Sequence, residues 1–162
     1  MKGKAAVRPA GPADAGTILA LVRELAEYER LADEVVADEA AIRDALAGRP
    51  PAVRALLAEA GGEAVGFALY FRNFSTFVGR QGLYLEDLFV RPAWRGAGVG
   101  RALLAALARE AAAVGAVRLD WAVLEWNEPA IGFYRRLGAA PLAQWRGWRL
   151  EGEALAKLAA AD

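Results

Sequence analysis

Apolar residues in the middle of the chain follow the two-residue period of strands. "VRALLAEA", closed by Gly61 and Gly62, and "EAVGFALYFRNF" predict a hairpin; "STFVGRQG" reads as a turn, and "LYLEDLFV" as a third strand. Elsewhere the period lengthens. Ile18, Leu21, Val22 and Leu25 recur at three and four residues, with Glu24 and Glu27 opposite, which predicts an amphipathic helix. Leu103, Leu104, Leu107, Ala111 and Val114 form the apolar stripe of a helix from Gly98 to Val114. A shorter helix is expected from Asp38, as N-cap, to Gly48, as its stop. "NEPAIGFYRRLG" predicts another, with Asn127 as N-cap, Pro129 in the first turn and Gly138 just past the end; Ala130, Phe133 and Leu137 make its core stripe. "AAVR", stopped by Pro9 and Gly11, "VRLDWAVL" and "WRGWRLEG" are the remaining strand candidates. Helices, a strand triplet, then helix alternating with strand predict one α/β domain over residues 1–162, with helices packed on a mixed sheet.

Composition narrows the chemistry. A chain of 162 residues that is 56% hydrophobic and 25% charged can bury a real core. Its formal net charge is zero, so nothing supports a nucleic-acid partner, which needs clustered basic excess. Cysteine and histidine are both absent, which removes disulfides, thiolate zinc sites and any Cys or His nucleophile or base. Acid–base work then falls to carboxylates, Tyr, Lys or water, and no metal is expected. "MKGKAAVRPAG" has no apolar run of signal-peptide length and no window reads as a membrane span. The expected setting is the cytoplasm, with no membrane partner.

Two features depart from a simple strand–turn–helix reading. Glu86 and Asp87 interrupt the apolar run "YLEDLFV", and "RGAGVG" separates that run from the next helix. Successive strand residues point to opposite faces, so both acids reach one cleft only if a bulge re-aims them. An acid pair at a strand edge also guards against aggregation. Glycines before a helix let free amides approach an anion. The P-loop and dinucleotide spacings both fail, because position 101 is Arg; Asp120 alone stands where a ribose-binding acid would. A ligand-free turn satisfies the glycines taken by themselves. The spacing that fits is Arg-x-x-Gly-x-Gly, at Arg95, Gly98 and Gly100.

That spacing resembles the acyl-CoA pyrophosphate loop of GNAT N-acetyltransferases. "YLEDLFV", "EWNEPAIGFYRRLGA", "GWRL", the early "LAEYE" and the final "LEGEALAKLA" are similar to the diamine (spermidine/spermine) and thialysine branch of that superfamily. The resemblance implies a single GNAT domain whose mixed, mostly antiparallel sheet splays open at the cofactor site. It implies acetyl transfer from acetyl-CoA to a small-molecule primary amine, by a homodimer. Arg95, Gly96, Ala97, Gly98, Val99, Gly100 and Arg101 would bind cofactor, with the backbone of Leu88, Phe89 and Val90, and with Asn127 and Tyr134. Glu86 would be the base, through ordered water, and Tyr134 the acid. Tyr28, Glu29, Glu86, Asp87, Asp120 and Trp121 would contact the amine. One departure bears on substrate: the polyamine pattern has acids just before "GWRL", whereas this chain has Trp145 and Arg146. An Arg there would repel a distal ammonium or pair with a carboxylate. Protein or antibiotic acetylation, a silent acyl-CoA-binding module and, more distantly, a dinucleotide-binding protein are the competing readings.

Overall fold

The computed structural model describes residues 4–161; Met1–Gly3, at the head of "MKGKAAVRPAG", and Asp162, at the end of the expected domain, lie outside the described residues. In chain order the elements are β1 (Ala6–Ala10), α1 (Ala15–Tyr28), α2 (Glu39–Ala47), β2 (Arg54–Ala60), β3 (Glu63–Ser75), β4 (Arg80–Val90), α3 (Val99–Ala113), β5 (Leu119–Asp120), α4 (Glu128–Arg136) and α5 (Gly152–Ala159). The strands make one sheet in the order β1-β2-β3-β4-β5. The first three pairings are antiparallel and the last is parallel. The chain forms two compact units, Met1–Ala122 with the sheet and α1 to α3, and Val123–Asp162 with α4 and α5.

Strand parity divides the first unit into two layers. Ala55, Leu57, Phe67, Leu69 and Phe89 lie on one face and pack with Ile18, Leu21 and Leu25 of α1. Leu56, Ala68, Tyr70, Leu83 and Leu85 are buried on the other face. There α3 packs on β2, β3 and β4, contributing Leu103 and Leu107, both fully buried. Burying a Leu, Ile or Phe side chain contributes about 1.5–3 kcal/mol each, so these two layers supply most of the stabilisation.

Gly66 allows β3 to approach β4 closely. A Cβ there would stand 2.7 Å from the Phe89 carbonyl oxygen and 3.3 Å from Val90 Cα. Ion pairs then fix the layers. Arg8 on β1 bridges Asp14 at 2.8 Å and Glu59 at 2.7 Å, and Arg91, just past β4, binds Glu24 of α1 through Nε and Nη2.

Several sequence expectations hold. Asp38 caps α2 by accepting from the Ala41 amide at 2.8 Å. Gly138, with φ of 89°, follows α4 in the left-handed conformation that glycine permits. Others need correction. β1 runs through Pro9 to Ala10, because an edge strand can place a missing N–H away from its single neighbour. The β3–β4 turn is shorter than expected, since Ser75 and Arg80 already pair. The expected strand "VRLDWAVL" is reduced to Leu119–Asp120, and "WRGWRLEG" forms no strand. In that last stretch Trp145 and Trp148 are 76% and 95% exposed, so neither face of a strand would be buried. α5, which the strand reading missed, follows from helix-forming Ala, Leu and Lys and a Glu153–Lys157 pair one turn apart. The stripe expected on α4 is buried only in part: Ala130 and Phe133 are half-buried and Leu137 is 40% exposed.

Because the close approach at Gly66 meets backbone, which cannot swing aside, Gly66→Ala is expected to destabilise the fold by about 1–3 kcal/mol. Urea denaturation measures this; an unchanged midpoint would show that the sheet opens there without cost.

Candidate active site

The ladder between β3 and β4 breaks at one residue. Leu69 lies opposite Asp87 and Tyr70 opposite Leu85, so Glu86 has no partner and forms a bulge. Partners across an antiparallel ladder share a face. Asp87 therefore joins Leu69, Phe67 and Phe89 on the α1 face, while Leu85 keeps to the α3 face with Tyr70. Glu86 projects from the bulge and is exposed. A bulged strand bends, and β5 pairs with β4 only at Leu83–Leu119 and Tyr84–Asp120. From Leu85 to Val90 the outer edge of β4 is in no ladder among the described residues. This is the splayed edge expected from the sequence, and it explains the shortened β5.

Asp87 shares its surroundings with other acids. Burial, then the charge of Glu86, then that of Glu29 push its carboxyl up to about 6. Burial also raises Glu29, the residue just after α1. Three carboxylates from two elements thus converge in one chain. Tyr28 precedes Glu29, and the Arg95 guanidinium lies 4.3 Å from its ring centroid. Arg95 also donates from Nε to the Val90 carbonyl at 3.0 Å. This Arg, expected on the cofactor, is in the structure a link between the glycine loop, the end of β4 and the end of α1. Phe89 turns its ring into the core, leaving its backbone as the part that could meet a ligand.

The loop itself suits an anion. Gly96 and Gly98 have φ of 75° and 82°, and a Cβ at either would meet nothing within 4 Å. Gly98 is the N-cap of α3 and supplies no side-chain acceptor. The first amides of a helix have no partner within it, so those of Val99, Gly100 and Arg101 have the chemistry to cradle a phosphate. Ala97 donates back to the Trp94 carbonyl at 3.4 Å, closing the turn.

Asp120 ends β5 and carries an ion pair to Arg118 Nε at 3.0 Å; the sequence reading missed Arg118. Trp121 follows, half-buried. In the second unit Asn127 is buried, 6% exposed, and caps α4 by accepting from the Ala130 amide at 3.4 Å. Tyr134 lies seven residues on, about two turns along the same helix face, with its ring 5.4 Å from that of Phe133. Arg146 is exposed in the irregular stretch before α5.

The raised Asp87 carboxyl has a consequence for stability. Its folded value, about 6, exceeds the ordinary 3.8. Between these values the folded state holds the extra proton, so stability falls as pH rises through the window. Asp87→Asn is therefore expected to stabilise the protein at pH 7 by up to about 3 kcal/mol, with the advantage vanishing below about pH 4. Thermal unfolding of both proteins from pH 4 to 8 checks this; a gap independent of pH would mean that Asp87 is well solvated.

Comparison with known proteins identifies the family. The profile of the Acetyltransferase (GNAT) family matches residues 18–139. The thialysine N-epsilon-acetyltransferase of Bos taurus is 43% identical over 164 residues, covering 94% of this chain and 96% of that protein. An L-ornithine N5-acetyltransferase of Arabidopsis thaliana is 44% identical over 90 residues, covering 56% of this chain and 40% of that protein. Among solved structures, an integron cassette protein from the mobile metagenome of V.cholerae superposes with a TM-score of 0.79 at 27% identity, over 98% of this chain and all of that one. With its bulged acid-bearing strand and glycine loop, this chain belongs to the GNAT family of N-acetyltransferases.

Proposed function

We propose that this protein transfers acetyl from acetyl-CoA to the primary amine of a small molecule, a lysine-like amino acid or a diamine. The observation that carries the reading is the bulge at Glu86, which groups Glu86, Asp87 and Glu29 beside an open strand edge. The names of the Bos taurus and Arabidopsis thaliana relatives, thialysine and L-ornithine acetyltransferases, support an amine on an amino-acid side chain. Both units are taken as parts of one acetyltransferase domain, because the family profile runs through residue 122. A homodimer is part of the same proposal.

Such an amine has a reference pKa of about 10.4, so it arrives as a cation at neutral pH. Asp87 and Glu29 hold the ammonium, with Tyr28 and Trp121 lining the pocket. Asp87 at about 6 is mostly ionised at pH 7 and is protonated, losing its attraction, as pH falls below that value. Glu86, exposed on the bulge, takes the proton through ordered water. Open space at Gly96 and Gly98 fits a pyrophosphate against the loop amides. Arg101 adds charge beside them, and Asn127 contributes on the cofactor side. Backbone amides on the unpaired β4 edge, at Leu88 and Val90, can pair with pantetheine amides as an added strand would. Acetyl-CoA supplies the activated acyl group: the C–S bond breaks as the N–C bond forms. Tyr134 gives its proton to the departing sulfur and Glu86 retains the one lost by nitrogen.

The direct test is release of free thiol from acetyl-CoA with lysine, thialysine, ornithine, putrescine, spermidine and a basic peptide. Release with the small amines is expected; CoA binding without release for any amine would leave a silent module. Tyr134→Phe is expected to keep CoA affinity within a few-fold and to lower kcat by about 10²- to 10⁴-fold. Unchanged turnover, with chemistry rate-limiting, removes Tyr134 from the mechanism. Glu86→Gln should shift the activity profile to higher pH, since the amine must then arrive neutral; a profile matching that of the wild type points to another base.

A further inference from the structure

The α1 face of the sheet carries charge beyond the acid cluster. Tyr84 lies opposite Phe71 in β3 and beside Asp120 in β5. Register partners share a face, and Phe71 alternates with Leu69, so Tyr84 and Asp120 look out on the same side as Asp87. In an unbroken strand, residues three apart would face opposite ways; the extra residue at Glu86 brings Tyr84 and Asp87 together. Arg118, two residues before Asp120, shares this face. Its Cγ stands 3.4 Å from where a Cβ on Gly82 would be, and the Asn73 Oδ1 atom, buried and without a partner, crowds the same point. Gly82 thus leaves room for the Arg118 stem to lie across the sheet and meet Asp120 at 3.0 Å. Tyr84, level with Asp120, stacks on Phe71 of β3 with ring centroids 5.2 Å apart. Burial raises the Tyr84 hydroxyl, as do the charges of Glu86 and Asp120, so one ring senses both ends.

We propose that Arg118 and Asp120 form an α-amino-acid subsite, in which Arg118 receives the α-carboxylate and Asp120 the α-ammonium of a substrate whose side-chain amine is acetylated at Glu86 and Asp87. This rests on the amine-acetyltransferase reading and deepens it. A strand rises about 3.3 Å per residue, which puts the two ends of the site roughly 7–10 Å apart along β4. A four-methylene chain spans roughly 6 Å between its terminal nitrogen and its α-carbon, and the charged groups extend that reach at both ends. The chain would lie along the Tyr84 ring, which Phe71 backs from β3. Adjacent plus and minus charges match a zwitterion; a diamine presents only a cation, which Arg118 repels. The Arg118–Asp120 pair is 46% and 26% exposed. Such half-exposed pairs are weak, so exchanging them for ligand groups costs little, and an Arg fork suits a carboxylate.

Lysine and cadaverine differ only in the α-carboxylate, which makes them the probes. For the wild type, kcat/KM is expected to favour lysine. In Arg118→Met that preference should fall by about 10- to 100-fold, the factor expected for a lost hydrogen-bonded charge contact. Arg118→Lys should restore part of it. Asp120→Asn should weaken lysine while leaving a desamino analogue, 6-aminohexanoate, on the same footing as before. Calorimetric binding of lysine and cadaverine to the CoA-bound protein reads the same preference without turnover, and thermal unfolding confirms that each variant folds. An unaltered lysine-to-cadaverine ratio in Arg118→Met, or a loss of the ratio in Arg146→Ala instead, overturns the subsite. Absence of acetyl transfer to every amine would sink the parent reading, while the binding ratio would still decide the role of Arg118.

Discussion

Strand β4 is held on one side from Arg80 to Val90, except at Glu86, and over two residues on the other. Pairing with β3 fixes its position in the core, while the lost pairing with β5 leaves backbone groups that water or a ligand must satisfy. The bulge at Glu86 reconciles these demands. It adds Glu86 to the strand while Asp87 stays opposite Leu69, on the α1 face. The cost is electrostatic, because a carboxylate is desolvated next to two of its own sign. A cation placed among these carboxylates would offset that cost.

The end of α1 is tied to this strand by side chains one helical turn apart. Glu24 holds Arg91, and Tyr28 lies beneath Arg95. Half-exposed ion pairs and cation–π contacts contribute about 1 kcal/mol or less each. The packing of Ile18, Leu21 and Leu25 against Phe67 and Phe89 supplies the energy, and the Arg contacts set where the helix ends. Because Arg95 opens the glycine loop, that loop and the acid cluster share one support within the first unit.

The sequence made the layered part of the fold legible. Alternation marked β2, β3 and β4, and a stripe from Leu103 to Ala111 marked α3, because each buries one face and the period records it. Asp38, Asn127, Gly98 and Gly138 marked helix ends through local chemistry. Legibility failed where burial fails: the stretch around Trp145 and Trp148 looks like a strand by composition yet buries no face. The candidate site divided in the same way. Glu86, Asp87 and the glycine loop stood out as violations of pattern, whereas Arg118 did not, since its partner is fixed by the register of β5 and by a missing side chain at Gly82. Arg95 stood out as part of the loop motif, but its contact with Tyr28 depends on how two elements dock.

Shortening a strand by one residue usually turns every following side chain to the wrong face. In β4 there is a single place where it would not. Without Glu86, Leu85 would remain opposite Tyr70 and Asp87 opposite Leu69, and the ladder would run unbroken. The parity of both hydrophobic layers would survive the deletion, and an orphan position would disappear from the hydrogen-bond pattern. Folding alone therefore gives no reason to keep this codon. Of the residues in β4, Glu86 is the one whose loss the sheet would tolerate most readily.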